Sequence, residues 1–258
     1  MSGALLEIES LAKSFGGVRA VRNCTFSVAE GQVTGLIGPN GAGKSTVVDL
    51  VSGFGQPDSG SIRFAGDELV GKRPDVISRL GLIRTFQTPR EWRNLTVMDN
   101  VMLARRQFAR ESLWRSVTQA RRIRRAEDAD RVEVRAILQR FQLADLKDEL
   151  AVRLSGGQKR LLEFARIAAA EPRLIILDEP MGGVNPVLGA RIGEAVGQFA
   201  ADGRTVIVVE HNLPFIEKTC DQVVVMDLGE VIAHGPFSGL RENPRVVDAY
   251  LGMDQSHD

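Results

Sequence analysis

The sequence predicts an α/β fold: a mostly parallel sheet covered by helices, with a block of helices set into it. Three observations carry this. Residues 33–37, 174–177 and 205–209 are short, mostly apolar runs with the length and β-branched character of strands buried on both faces. Segments of helical periodicity alternate with them, the rhythm of strand–helix–strand units. Residues 96–170 have little β pattern, are dominated by Arg, Ala, Leu and Glu, and lie in a stretch with no proline between Pro89 and Pro172.

Taken in order, residues 5–37 read as β. Leu6, Ile8 and Leu11 begin an alternating run, 24–28 resumes it after Gly16–Gly17, and Gly31 marks a turn before 33–37. From Lys44 the pattern becomes helical, with Val47, Val48 and Val51 on one face. Residues 53–60 are a Gly- and Pro-rich loop, and 61–65 and 82–86 are further strands. After the helical block, 174–177 is a strand, 187–201 a helix, 205–209 a strand, 213–219 a helix and 222–226 a strand. The expected division is a core of 1–87 with 171–258 and a helical subdomain of 88–170.

The 258 residues carry 33 Lys plus Arg against 33 Asp plus Glu, a net charge of zero. That balance argues against a nucleic-acid binder held by bulk charge. Cys24 and Cys220 are too few for a disulfide framework and form no CxxC pair, so they read as reduced thiols. No apolar run approaches the roughly 18–20 residues of a membrane-spanning helix. The start of the chain has no basic segment and meets Glu7 early, unlike a signal peptide. A role at a membrane would therefore run through partner proteins.

Gly38-Pro39-Asn40-Gly41-Ala42-Gly43-Lys44-Ser45 fits G-x-x-x-x-G-K-[ST] at every position, with a strand before it and a helix beginning at Lys44. Glycines let backbone N–H groups turn inward toward phosphate oxygens, and the helix start adds partial positive charge. Lys44 brings a full charge to the outer phosphates, the Ser45 hydroxyl can ligate Mg²⁺, and Thr46 continues the first turn. The run 174–177 delivers Asp178 to the C-terminal end of a strand, where ligands sit in open α/β sheets. A carboxylate there can hold Mg²⁺, and Glu179 beside it is the candidate general base. An isolated Asp-Glu pair is usually a solvated surface pair. The apolar run in front of it and the phosphate loop elsewhere shift that balance.

Leu154-Ser155-Gly156-Gly157-Gln158 opens another helix. Ser155 is a good N-cap, with Leu161, Phe164, Ala165 and Ala168 on its apolar face. On its own this is a cap and turn, but here it precedes Asp178 by 20 residues. At this point the sequence resembles the ATP-binding cassette family over about residues 5–252. Leu-Ser-Gly-Gly-Gln is that family's signature, and the phosphate loop and Asp178-Glu179-Pro180 match its Walker motifs.

The resemblance implies a P-loop NTPase (RecA-like) core, an antiparallel β subdomain near the N-terminus and an inserted α-helical subdomain. It implies Mg-ATP hydrolysis. Gln87 would touch Mg²⁺ and the attacking water, His211 the γ-phosphate, and Phe15, where the family usually has Tyr, would stack on adenine. Two cassettes would pair head to tail, so Ser155, Gly156, Gly157 and Gln158 would serve the partner's ATP. In place of the family's Ser-Ala-Leu-Asp, this chain reads Met181-Gly182-Gly183-Val184-Asn185, so Asn185 keeps a polar group without the charge.

Finer details resemble the cassettes of branched-chain amino acid importers: Arg84-Thr85-Phe86-Gln87, the stretch 95–101, the Gly-Val-Asn-Pro of 183–186, Glu210-His211-Asn212 and Ala249-Tyr250-Leu251-Gly252. That implies a second cassette, two integral membrane permeases and an extracytoplasmic binding protein, at the cytoplasmic face of the membrane. Related cassettes serve urea or short amides, or lipopolysaccharide export, and a non-transport cassette ATPase is the reading from another class. Residues 105–125 hold eight arginines against the single acid Glu111, with Trp92 and Trp114 nearby. This is either a solvated helix face or a surface toward permease or anionic lipid.

Overall fold

The computed structural model describes residues 3–85, 91–108 and 120–251. The chain divides into two compact units, Met1–Gln87 with Arg173–Asp258, and Thr88–Pro172.

The first unit holds two sheets. One is antiparallel, in the order β2-β1-β4-β5, from β1 (Ala4–Phe15), β2 (Val18–Ala29), β4 (Ser59–Phe64) and β5 (Asp67–Glu68). Its β1–β2 hairpin alternates in burial, so Leu6, Ile8 and Leu11 face the core while the tip residues Phe15 and Val18 are exposed. The other has the order β10-β9-β3-β8-β7-β6. Its strands are β3 (Val33–Ile37), β6 (Leu82–Arg84), β7 (Leu174–Asp178), β8 (Thr205–Val209), β9 (Gln222–Asp227) and β10 (Glu230–Gly235). Every neighbouring pair is parallel except β9 with β10.

The central strands β3, β7 and β8 are buried at every residue, which is why their sequences are continuous apolar runs rather than alternating ones. Leu36, Leu174, Ile176, Ile207, Val209 and Val224 join the side chains of the antiparallel sheet and of α1 (Lys44–Val51) in one core. Two further helices of this unit, α6 (Pro186–Ala201) and α7 (Leu213–Thr219), follow β7 and β8. Short helices also appear where periodicity is weak: α2 (Pro74–Arg79), α8 (Phe237–Leu240) and α9 (Pro244–Leu251). The expected strand 61–65 begins earlier, at Ser59, and ends at Phe64, because Ala65 has φ 52° and turns the chain out of the sheet. The expected strand 82–86 ends at Arg84, with Thr85 past its end and Phe86 outside the described residues.

The second unit is helical: α3 (Val97–Phe108), α4 (Ala120–Arg140) and α5 (Gly156–Ala170). Val97, Val101, Val134, Leu138, Leu162 and Phe164 are buried in it. Arg105 is not part of an unpaired basic surface. It bonds Asp130 at 2.7 Å and also faces Glu133 and Glu171, acids that lie outside the 105–125 window of the sequence reading. Trp114 and the arginines at 110 and 115 lie outside the described residues.

Candidate functional site

The loop between β3 and α1 is built by backbone geometry. Gly38 has φ 150°, and a Cβ there would lie 2.0 Å from the carbonyl oxygen of Met226. Gly43 has φ 95°, and its Cβ would lie 2.4 Å from the carbonyl oxygen of Ala20. Only glycine fits either position, so the loop passes tightly between β9 and β2. Ala42 is buried, Pro39 half-buried, and Asn40 and Gly41 exposed at the crest. The Lys44 ammonium donates to Gly38 O at 2.7 Å and Pro39 O at 2.9 Å, folding back along the loop. Burial pushes its pKa below the ordinary lysine value, while the nearby carboxylates of Glu179 and Asp178 act in the opposite direction.

The helix starts in this protein differ. Ser155 caps α5 in a capping box with Gln158, Asn185 caps α6 by accepting from Leu188 N at 2.9 Å, and Asn212 caps α7 by accepting from Phe215 N at 3.1 Å. By contrast α1, among the described residues, has no side-chain cap and no acid in its first turn. Its N–H groups and partial positive charge are presented to whatever anion enters, which is the fit a phosphate requires. Ser45 is exposed on that first turn, with Thr46 half-buried beside it.

The facing side is built from side chains. Asp178 ends β7 and is buried; its backbone N–H donates to Thr85 Oγ1 at 3.1 Å. Its Oδ2 accepts from Arg84 Nη2 at 2.9 Å, and Arg84 Nη1 reaches Asp49 Oδ1 on α1 at 2.5 Å. Arg84 thus fixes the carboxylate on the strand end, a role the sequence reading did not assign. Its sequence signals are a charge at the end of an apolar strand and its place in Arg84-Thr85-Phe86-Gln87, neither of which names its partner. Glu179 is half-buried with φ 47°, a left-handed conformation that costs a non-glycine residue about 1–3 kcal/mol. The bond from Glu179 N–H to Val209 O, 2.9 Å, holds it there.

His211 follows β8 and is exposed. Next to it lies a second residue the sequence reading left without a role. Glu210 is 1% exposed, and its carboxylate accepts from Met181 N at 2.7 Å, His211 N at 3.0 Å and Asn212 N at 3.2 Å.

The remaining expected residues are placed as follows. Phe15 is 59% exposed at the hairpin tip, with the Lys13 ammonium 5.4 Å from its ring centroid, so one ring face is available for stacking. Asn185 uses its side-chain oxygen as the α6 cap, which accounts locally for a polar residue there without invoking a charge. Ser155, Gly156, Gly157 and Gln158 belong to the second unit, with Ser155 and Gly156 exposed. Gln87 lies outside the described residues. Among the described residues no cluster of three or more His, Cys, Asp or Glu is placed to hold a metal alone. The hydroxyl of Ser45 and the carboxylate of Asp178 instead suit Mg²⁺, which typically binds through one or two protein oxygens together with substrate phosphates.

The family model described as ABC transporter matches residues 21–182. The chain belongs to the ABC transporter family. It is an ATP-binding subunit of that family and an ATPase. The cassette is 38% identical over 252 residues to the probable branched-chain amino acid transport ATP-binding protein LivG of Archaeoglobus fulgidus, covering 98% of this chain and 97% of that protein. It is 34% identical to the high-affinity branched-chain amino acid transport ATP-binding protein BraF of Pseudomonas aeruginosa, covering 98% and 99%. The ADP conformation of MJ1267, an ATP-binding cassette of an ABC transporter, superposes with a TM-score of 0.81 at 32% identity, covering 97% of this chain and 100% of that one.

Proposed function

We propose that this cassette binds Mg-ATP at the β3–α1 loop and hydrolyses it to energise import of branched-chain amino acids through partner permeases. The observation that carries the catalytic part is an uncapped helix start after β3, with Asp178 and Glu179 at the end of β7 in the same parallel sheet, one strand removed. Full-length similarity to LivG and BraF supports the substrate class.

The residues act as follows. Phe15 stacks on adenine. The loop from Gly38 to Gly43 wraps the phosphates, and Lys44 exchanges its contacts with Gly38 O and Pro39 O for the β- and γ-phosphate oxygens. Ser45 and Asp178, with Gln87, would hold Mg²⁺, which when bound neutralises charge on the phosphate oxygens. Glu179 takes the proton from the attacking water, and His211 contacts the γ-phosphate. A second cassette supplies its signature segment to close the site, and this chain's Ser155–Gln158 and Asn185 do the same in return. No helix of the described residues is long and apolar enough to cross a membrane. By likeness to LivG and BraF, two integral membrane permeases would hold the pair at the cytoplasmic face, and an extracytoplasmic binding protein would deliver the amino acid.

Glu179→Gln tests the core of this. The variant should bind ATP with unchanged affinity, lose about 10²–10⁴-fold in turnover, and accumulate as an ATP-bound dimer by size-exclusion chromatography. Turnover at the unaltered rate would remove Glu179 from the reaction. Uptake of labelled leucine, isoleucine or valine into vesicles containing the assembled transporter tests the substrate class. Transport of none of them, with ATPase intact, would reject it.

A further inference from the structure

Glu210 occupies a position that sequence order hides and sheet order creates. Strands β7 and β8 are parallel neighbours, with Asp178 paired to Val209, so the residues just past their ends share one edge of the sheet. The residue after Asp178 is Glu179, and the residues after Val209 are Glu210 and His211. The Glu210 backbone is held inward by its N–H to Leu36 O on β3, at 3.4 Å. Its side chain is fully shielded from solvent. One carboxylate oxygen, Oε1, accepts from Met181 N in the segment that leaves Glu179. The other, Oε2, accepts from His211 N and Asn212 N and lies 3.8 Å from His211 Nδ1.

We propose that Glu210 is a positioning residue for hydrolysis: a single buried carboxylate that ties the segment carrying Glu179 to the segment carrying His211 and sets the spacing between them. The proposal rests on the roles given to Glu179 and His211 above. The physical argument is one of satisfaction. A buried carboxylate is costly unless its lone pairs are filled, and backbone N–H donors fill them here with charge-assisted bonds. The same bonds cross-link two turns that no backbone hydrogen bond of the sheet reaches beyond Glu179 N–H to Val209 O. A neutral hydroxyl or amide could not serve all three donors. An amide of the same shape has one oxygen, and its NH₂ would face either Met181 N–H or the His211 and Asn212 N–H pair. Catalytic groups must be held within fractions of an ångström, so a loosened tie reduces turnover more than nucleotide binding.

The test uses the full-length chain, with Glu210→Gln, His211→Ala, Glu179→Gln and the Glu210→Gln/His211→Ala double variant. Glu210→Gln should lower kcat about 10- to 100-fold while the Kd for ATP stays within about threefold. The double variant should lose less than the product of its two single losses, because part of what Glu210 does is place His211. Unaltered kcat in Glu210→Gln, with His211→Ala and Glu179→Gln both impaired, overturns the positioning role and leaves the site reading standing. Parallel loss of ATP affinity, or fully multiplicative losses, shows a purely structural residue and also overturns it. Full turnover in His211→Ala and Glu179→Gln overturns both readings together. If Glu210→Gln does not fold, Glu210→Asp replaces it. That variant keeps the charge but retracts the carboxylate by one bond, so it cannot span both segments. It should show the same split between kcat and Kd, and unaltered kcat there rejects the proposal.

Discussion

The two sides of the nucleotide site are made by different means. On the β3–α1 side, main chain does the work: two glycines in conformations closed to other residues, a helix left without a side-chain cap, and one lysine folded along the loop. On the β7–β8 side, side chains do it. Asp178 is held by Arg84, and Glu210 ties the turns around Glu179 and His211. The first side is contiguous in sequence and rigid because of what is missing from its residues. The second is assembled from segments far apart in the chain and depends on ion pairs and charge-assisted bonds. Binding should therefore be most sensitive to added atoms on the first side, and ordering of the catalytic groups to removed ones on the second.

The sharpest test of that contrast is Gly38→Ala. One added carbon would meet the Met226 carbonyl at 2.0 Å and force an alanine to φ 150°. We expect a loss of about 4 kcal/mol in urea unfolding, with ATP binding abolished, and retention of both would show that the loop relaxes freely. Arg84→Gln probes the other side. It strands Asp178 without its guanidinium, and the expected destabilisation is about 3 kcal/mol. Mg²⁺ with a non-hydrolysable ATP analogue should restore more of that stability than it does for Gly38→Ala, because the ion can neutralise the same carboxylate. Equal restoration would break the comparison. Asn185→Ala is the mildest. Losing the α6 cap should cost about 1 kcal/mol in thermal or urea unfolding with ATP affinity unchanged. Turnover of the paired cassettes should fall beyond that loss of stability, because Asn185 is also proposed to help close the partner's site, and unaltered turnover would leave it as a cap alone.

These differences also explain what could be read from the chain before its fold was known. The glycine loop, Lys44 and Ser45 were legible because their chemistry is local: one strand, one turn and one helix start in consecutive residues. Asp178 and Glu179 were legible because an apolar strand delivers them. Arg84 was not, since its partner lies 94 residues away and becomes a neighbour only because β6 pairs with β7. Glu210 was not, since its donors are backbone groups whose approach depends on β7 lying beside β8. The polar group that Asn185 keeps without a charge is legible in sequence, but its use as the α6 cap appears only with the helix in place. The short helices α2, α8 and α9 were missed because four to eight residues show too little periodicity to stand out.

The two cysteines have a practical consequence. Both are free thiols, and burial pushes each up to about 12. At pH 7.5 the reactive thiolate is then only about one part in 10⁴ or less of either. A new cysteine at an exposed position such as Val187 would outcompete both natural ones for a maleimide dye, so distances across the working transporter could be followed optically without first stripping sulfur from its core.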